Sequence, residues 1–356
     1  MVAAMAVPAP AQPGPDGIDW VTVGDVGNPA YAGPGGLVVG RGSVGYEYRV
    51  GRTEVTTAQW LEFYNTFKAR ADPVPDSVLP SPIIWGATID PNYTGPGTRY
   101  MLQNDPDAGM RAVSGISWRM GAMLCNWLHN DKSSDITAYQ NGAYDISTFG
   151  YSAPGVFTDQ LTHHPEARYW IPTLDEYMKA VFYDPTRDGT GGWWQQPNMS
   201  DIPLVYGPPG VGMANSGFTL PQSGELRIPL MSYPDTHSYY GVLDSAGFTQ
   251  EWIEDRYVVE GRTYRIFDGS YWSVFGPGID TVHGFGADFP SMRYSRVGLR
   301  LASAVPASGT LPVLLLAGLV AGRRRTRETP PCSVPCSRFS RSSASPPVLR
   351  PRKSST

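Results

Sequence analysis

The stretch from Gly241 to Trp252, GVLDSAGFTQEW, organises the interpretation of the whole sequence. Short strand-like runs lie on both sides of it, and Gly, Pro, Asn and Asp, which favour turns, separate them. This pattern predicts an α+β body with much irregular chain. Five further segments of mixed aromatic and turn-forming character accompany the stretch, in this order: YRVGRTEVT (48–56), WRMGAMLCNW (118–127), RYWIPTLDEY (168–177), DGSYW (268–272) and VGLR (297–300).

The composition supports a loop-rich fold. Gly (40 residues) and Pro (34 residues) make up about a fifth of the 356 residues, which argues against a helix bundle or a doubly wound sheet. Hydrophobic residues at 41% and aromatic residues at 12% argue against disorder of the whole chain. We therefore expect one α+β domain with little regular secondary structure.

Three segments are predicted to be helical. Thr56 to Gln59 and Thr173 to Glu176 both fit a capping box, in which the two side chains satisfy free N–H groups at a helix start. Apolar side chains follow at helical spacing in both cases, and Pro185 ends the later helix. A third helix is expected over roughly residues 117–130.

Charge is distributed unevenly along the chain. The net charge of −4 combines about −12 for residues 1–322 with +8 for residues 323–356, which contain eight Arg, one Lys and one Glu. An acidic body is a poor partner for nucleic acid, because phosphate binding depends on clusters of Lys and Arg. The three cysteines, at 125, 332 and 336, leave one in the body, so a disulfide framework or a four-ligand zinc site there is excluded.

Both chain ends differ from the body. Residues 1–18 are small and Pro-rich, which indicates a signal-peptide remnant or a disordered N-terminus. Residues 304–327 contain the apolar run Leu311–Ala321 followed by arginines, a pattern typical of a weak membrane segment with a cytoplasmic stop. Residues 328–356 are rich in Ser, Pro and Arg and are predicted to be disordered. The body is expected over residues 19–303.

The six segments together resemble the formylglycine-generating enzyme family, also called sulfatase-modifying factors. Their order and spacing are similar to the family's E-V-T, W-x-x-A, R-L-P-T, G-L-x-D…E-W, G-G-S-W and G-F-R elements. The resemblance implies a single domain related to the C-type-lectin-like fold. The opening residues resemble a bacterial branch of the family that is known from secreted proteins.

The resemblance also implies which chemistry to look for. Active members bind Cu(I) through a cysteine pair near G-G-S-W and oxidise a substrate cysteine, since soft thiolates hold Cu(I). Alignment on DGSYW puts Ser273 and Gly278 at those positions. Neither is a cysteine, which disfavours copper and any catalytic residue there and favours a binding or structural module. The alternative is an oxidoreductase of the same family, acting on a protein cysteine or sulfatase through non-standard residues. Cys125 is expected to belong to the core.

Calcium is the cofactor that the resemblance favours. The family's structural site corresponds here to Asp244, the carbonyls of Gly247 and Thr249, and Glu251, all hard oxygen donors. The alternative is that Asp244 forms a turn and Glu251 a salt bridge at the surface.

The C-terminal segment resembles a PEP-CTERM sorting signal, which implies export, exosortase-type machinery and a transient membrane stage before release to the cell surface. The ligand is expected to be an unidentified protein or glycan bound by aromatic residues around 190–215 and 270–295. Glu254, Asp255, Asp288 and the pair His163–His164 are expected to face solvent.

Overall fold

Local capping chemistry sets the three helices. The computed structural model describes residues 16–216, 227–272 and 280–306. Its α-helices are α1 (Thr57–Lys68), α2 (Trp118–His129) and α3 (Leu174–Phe182). Thr56 and Thr173 each accept a hydrogen bond from the N–H three residues later and form complete capping boxes, and Ser117 caps α2. The three predicted helices are therefore confirmed.

Fourteen short strands occur within the described residues, and most have two to four residues. They are β1 (Trp20–Val23), β2 (Tyr48–Gly51), β3 (Ala87–Ile89), β4 (Tyr100–Leu102), β5 (Tyr151–Ala153), β6 (Val156–Phe157), β7 (Tyr169–Trp170), β8 (Tyr183–Asp184), β9 (Gly192–Trp193), β10 (Gln250–Val259), β11 (Arg262–Asp268), β12 (Phe285–Asp288), β13 (Val297–Gly298) and β14 (Ala302–Ala304).

Two four-stranded sheets form the framework of the body. The first has the order β1-β2-β14-β7 and is antiparallel throughout. The second has the order β12-β11-β10-β13, with β13 parallel to β10 and the other pairs antiparallel. Three two-stranded ribbons, β3-β4, β5-β6 and β8-β9, complete the described strands. This mixed architecture with few helices confirms the predicted α+β class.

Aromatic side chains fill the core between the helices and sheets. Trp60, Phe63 and Phe67 of α1 are fully buried, and the ring centroids of Phe63 and Trp127 of α2 lie 5.5 Å apart. Trp118 and Cys125 of α2 are also fully buried, and the expected core position of Cys125 is confirmed. The aromatic content therefore serves mainly packing between the helices.

The second sheet brings the distant sequence motifs together. GVLDSAGFTQEW runs into β10, DGSYW begins at the end of β11, and VGLR begins as β13. Glu251 pairs with Asp268 across β10 and β11 and with Gly298 across β10 and β13. Three segments spread over 60 residues of sequence thus meet at one sheet end.

The body begins slightly earlier than the sequence suggested. The Asp16 carboxylate accepts hydrogen bonds from Trp20 Nε1 (2.9 Å) and from the Tyr169 hydroxyl (3.1 Å), and Ile18 is buried. Residues 16–18 therefore belong to the folded body. The rest of the predicted N-terminal segment, most of the 304–327 segment and the 328–356 tail lie outside the described residues. In the part of the chain that is described, no helix combines the length and apolarity needed to cross a membrane.

Candidate functional site

A buried ion pair joins the ends of the motifs GVLDSAGFTQEW and VGLR. Arg300 Nε and Nη2 donate to the two carboxylate oxygens of Glu251 at 2.8 and 2.7 Å, and each side chain is 1% exposed. Its Nη1 donates to the carbonyls of Gly51 and Arg52, and Nη2 also donates to that of Leu243. The guanidinium thus ties both large sheets to the loop before β10.

Two further carboxylates, those of Glu54 and Asp244, lie near this ion pair. Neither forms a salt bridge with any residue that the structure describes. Glu54 Oε1 accepts from the N–H and hydroxyl of Thr249, both at 3.0 Å, and Asp244 Oδ2 accepts from the N–H of Met231 at 2.7 Å. Glu54 Oε2 and Asp244 Oδ1 are buried and have no hydrogen-bond partner among the described residues. Burial raises the pKa of Asp244 to about 7, although the Met231 N–H and Arg300 act in the opposite direction.

These contacts bear on the predicted calcium ligands. The unpartnered Oδ1 of Asp244 is an oxygen donor that suits a hard cation. Glu251 is different, because a cationic guanidinium already engages both of its oxygens. Glu251 is therefore already engaged by Arg300, whereas Asp244 Oδ1 has no partner among the described residues. A search for three or more grouped His, Cys, Asp or Glu, restricted to residues that the structure describes, found none.

A second polar cluster lies beneath DGSYW, where the family resemblance points for catalysis. Ser270 Oγ accepts from the N–H of Gly247 at 2.7 Å and lies 2.7 Å from Ser216 Oγ. Asp280 accepts from the Tyr206 hydroxyl at 2.8 Å. Burial raises the pKa of Asp280 to about 6, although the Ser270 and Tyr206 hydroxyls lower it.

This cluster supplies hydroxyl and carboxyl oxygens. Oxygen donors are hard ligands and do not suit Cu(I), which prefers thiolates. Ser273 and Gly278, the positions predicted to replace the copper cysteines, lie outside the described residues. Cys125 lies in α2, fully buried, and burial together with the charge of Glu254 raises the pKa of its thiol. The residues described at this site therefore do not fit copper.

A half-exposed aromatic surface adjoins the cluster. The Arg296 guanidinium lies 5.5 Å from the ring centroid of Tyr271 and 4.7 Å from that of Tyr294. Arg296 Nε also donates to Gln250 Oε1 at 3.2 Å. We call these four residues, Gln250, Tyr271, Tyr294 and Arg296, the Tyr271 surface. Tyr271 and Tyr294 belong to the predicted 270–295 aromatic region, and both are partly exposed.

The predicted 190–215 region is more tightly engaged. The Arg187 guanidinium lies 3.9 Å from the ring centroid of Trp194, and Trp193 packs edge-on against Tyr31 and at a tilt against Tyr183. These tryptophans are half-buried and contribute mainly to packing around β8 and β9.

The expectation that Glu254 and His163 face solvent is wrong. Glu254 is 1% exposed and accepts hydrogen bonds from the Tyr144 hydroxyl (2.8 Å) and from the N–H and Nδ1 of His163 (2.6 and 2.9 Å). The His163 ring also stacks on Trp170 at 4.5 Å. Strand periodicity could have indicated this burial, since Glu254 follows the buried Trp252 by two residues on β10. Asp255 is engaged as well, by Arg41 at 2.6 Å and by the N–H of Leu174 at 2.7 Å.

Comparison with solved structures gave several matches at low sequence identity. CarF matches with 18% identity and a TM-score of 0.48, over 81% of this chain and 98% of that one. Variable protein 1 of Treponema denticola matches with 15% identity and a TM-score of 0.46, over 80% and 95% of the two chains. PvdO from Pseudomonas aeruginosa matches with 12% identity and a TM-score of 0.46, over 85% and 100%.

A search of curated proteins found no match to this chain. The family model described as the sulfatase-modifying factor enzyme 1-like domain matches residues 42–305, which is well over half of the sequence and contains both polar clusters. The chain therefore belongs to the sulfatase-modifying factor (FGE-sulfatase) family.

Proposed function

We propose that this protein is an exported, surface-associated binding or structural module whose sulfatase-modifying-factor domain does not use copper chemistry. The observation that carries the proposal is the chemistry around DGSYW. Ser270 and Asp280 offer oxygen donors there, while the body's one cysteine, Cys125, lies buried in α2. A Cu(I) centre needs at least two soft ligands that converge, and a single buried thiol does not provide them.

The Tyr271 surface is the proposed contact region for a protein or glycan. Aromatic rings and arginine are the side chains that contribute most to recognition, because they bury large areas and still form directed polar contacts. Here Arg296 is held over two rings and by Gln250, so the surface is preorganised. The acidic body supports a partner other than nucleic acid.

Export and sorting form the second part of the proposal. Its support is the apolar run Leu311–Ala321 with the following arginines. Exosortase-type machinery would act on this segment during its transient stay in the membrane. Fractionation of producing cells is the test: the full chain is expected at the cell surface or outside, and a variant that lacks residues 305–356 is expected to lose surface association. Equal distribution of both forms would contradict a sorting role.

Calcium remains part of the proposal, but with three protein ligands instead of four. Asp244 Oδ1 and the carbonyls of Gly247 and Thr249 are the donors that would hold it, and it would neutralise the buried carboxylate of Asp244. Glu251 is left out of this ligand set because Arg300 engages it.

The decisive test of the function is an assay for aldehyde formation. The full chain, loaded with copper and supplied with oxygen, is incubated with a cysteine-containing sulfatase peptide, and the peptide is followed by mass spectrometry. A copper-active family member serves as the positive control. We expect no conversion of the cysteine. Robust turnover would overturn the binding-module proposal and would establish an oxidoreductase with non-standard active-site residues.

A further inference from the structure

A cleft of about 360 Å³ lies at the start of α2, and it is not formed by either polar cluster or by the Tyr271 surface. Its volume is in the range of sites for small molecules. Val78, Met123 and Phe149 form its apolar wall, and the side chains of Arg119 and Arg293 bring two guanidinium groups to it. The two arginines differ in how their charge is compensated.

Arg119 is neutralised by a buried carboxylate. Its Nε and Nη2 donate to the two oxygens of Asp159 at 2.8 and 2.7 Å, and the Asp159 side chain is 0% exposed. The Arg119 guanidinium also lies 5.3 Å from the ring centroid of Phe149 and 5.2 Å from that of Tyr151. This bidentate pair leaves little net charge for a ligand.

Arg293 has no such carboxylate. Its Nε donates to the carbonyl of Gly115 at 3.0 Å and its Nη2 to the carbonyl of Ser81, and it forms no ion pair with any residue that the structure describes. Nη1, with two N–H groups, makes no hydrogen bond to the described residues. Carbonyls fix the direction of a guanidinium but do not cancel its charge, and an arginine stays protonated at physiological pH. The cleft therefore holds one positive charge that the protein leaves uncompensated, in a body that is otherwise acidic.

The uncompensated guanidinium of Arg293 is also partly buried. Partial desolvation lowers the pKa of Arg293, although the Tyr64 hydroxyl acts in the opposite direction. The two carbonyl hydrogen bonds hold the guanidinium in place, but no anionic group among the described residues balances its charge. An anion that enters the cleft would pair with this charge, and its apolar part would cover Val78, Met123 and Phe149.

We propose that this cleft binds a small organic carboxylate with an apolar body, whose acid group pairs with Arg293. The inference is independent of the proposed function, since it concerns neither the DGSYW region nor the Tyr271 surface. It adds a ligand class and a second binding site to the domain.

The probe is 4-phenylbutyrate, titrated into the full-length protein by calorimetry, with the neutral 4-phenylbutan-1-ol as the matched compound. We expect saturable 1:1 binding of the carboxylate, at least tenfold weaker binding of the alcohol, and weaker carboxylate binding as the salt concentration rises. Absence of saturable carboxylate binding, or equal binding of the two compounds, would overturn the proposal.

Variants locate the charge that is responsible. R293Q is expected to weaken carboxylate binding at least tenfold, while R293K keeps the charge and retains most of the affinity. R256Q removes an exposed arginine on β10 that does not line the cleft, and it is expected to change the affinity less than twofold. Thermal unfolding of each variant checks folding. A folded R293Q that binds like the wild type would refute the assignment. If R293Q fails to fold, the proposal is judged on the remaining measurements: the affinity of R293K, the comparison with the alcohol and the salt series.

Discussion

Arg300 and Glu251 form a two-point ion pair at the centre of the body, 2.7 and 2.8 Å between donor and acceptor, with 1% of each side chain exposed. The remaining Arg300 donors bind three backbone carbonyls, so the guanidinium is saturated. A pair this deeply buried is costly to break, because the partner that remains is a desolvated charge.

Removing one member of the pair is therefore expected to be strongly destabilising. For E251Q we expect a loss of about 3–5 kcal/mol in the free energy of unfolding, measured by denaturant titration. D72N, which disrupts the exposed Arg70–Asp72 pair, is the control and is expected to cost far less than E251Q, because solvent screens an exposed pair. A loss below that of D72N would mean that Arg300 does not depend on Glu251.

Calcium binding is expected to depend on Asp244 and not on Glu251. The melting temperature of the wild type should be higher in calcium than in a chelator, because a ligand that binds the folded state stabilises it. D244N removes the carboxylate with the free oxygen and should abolish the difference. E251Q should lower the melting temperature in both buffers. If calcium has no effect on the wild type, the calcium proposal fails.

The His163–Glu254 pair is expected to make stability depend on pH. Burial lowers the pKa of His163, but the hydrogen bond to Glu254 and the charges of Glu254 and Glu176 outweigh this, so the pKa is raised overall. The folded state thus binds the proton more tightly than the unfolded state, whose histidine has a pKa near 6.5. The resulting stabilisation is complete below about pH 6.5 and is lost as the pH rises through the raised pKa.

H163Q tests this dependence. Its deficit in unfolding free energy relative to the wild type should be larger at pH 5.5 than at pH 8.5, measured by denaturant titration. The same substitution at the exposed neighbour His164 is the control. A deficit for H163Q that is the same at both pH values would show that His163 contributes no linked proton.

Asp280 is expected to act on stability in the lower pH range. Its pKa is raised from 3.8 to about 6, so the folded protein retains this proton where the unfolded chain has lost it. Stability should fall as the pH rises from about 4 to about 6, by at most about 3 kcal/mol from this group. D280N keeps an acceptor for Tyr206 but cannot ionise, so its stability relative to the wild type should rise over this range. Parallel pH profiles for the two proteins would contradict the assignment.

Cys125 is expected to be unreactive in the folded protein. Its thiol is fully buried and its pKa is raised, so the thiolate needed for alkylation is scarce and inaccessible. After treatment with iodoacetamide, the Cys125 peptide should be unmodified in the native protein and modified after denaturation. The peptide with Cys332 and Cys336 provides an internal reference in the same digest. Rapid labelling of Cys125 in the native protein would show instead that its thiol is accessible and reactive.

Local signals account for the parts of the fold that could be predicted. The helix starts at Thr56 and Thr173 depend on side chains three residues away, and the buried faces follow from a 3.6-residue period. The family resemblance likewise depended on the order of short motifs. Such features require no knowledge of which distant segments meet.

The site depended on contacts that local patterns do not encode. Glu251 meets Arg300 across 49 residues and Glu254 meets Tyr144 across 110, so neither partner could be identified from spacing. Both open alternatives for Glu251, a cation ligand or an ion pair, involve the same carboxylate chemistry. No sequence pattern indicated a role for Arg293. Its role depends on having no carboxylate partner among the described residues, and such a feature is visible only in the folded structure.

The position of β14 has a consequence for how the chain is made. The last strand of the body pairs with β2 on the side opposite to β1, so the first and last strands lie about 10 Å apart across one intervening strand. A ribosome must therefore have synthesised residue 304 before this sheet can close, and the domain is expected to complete folding only after nearly all of it has been translated.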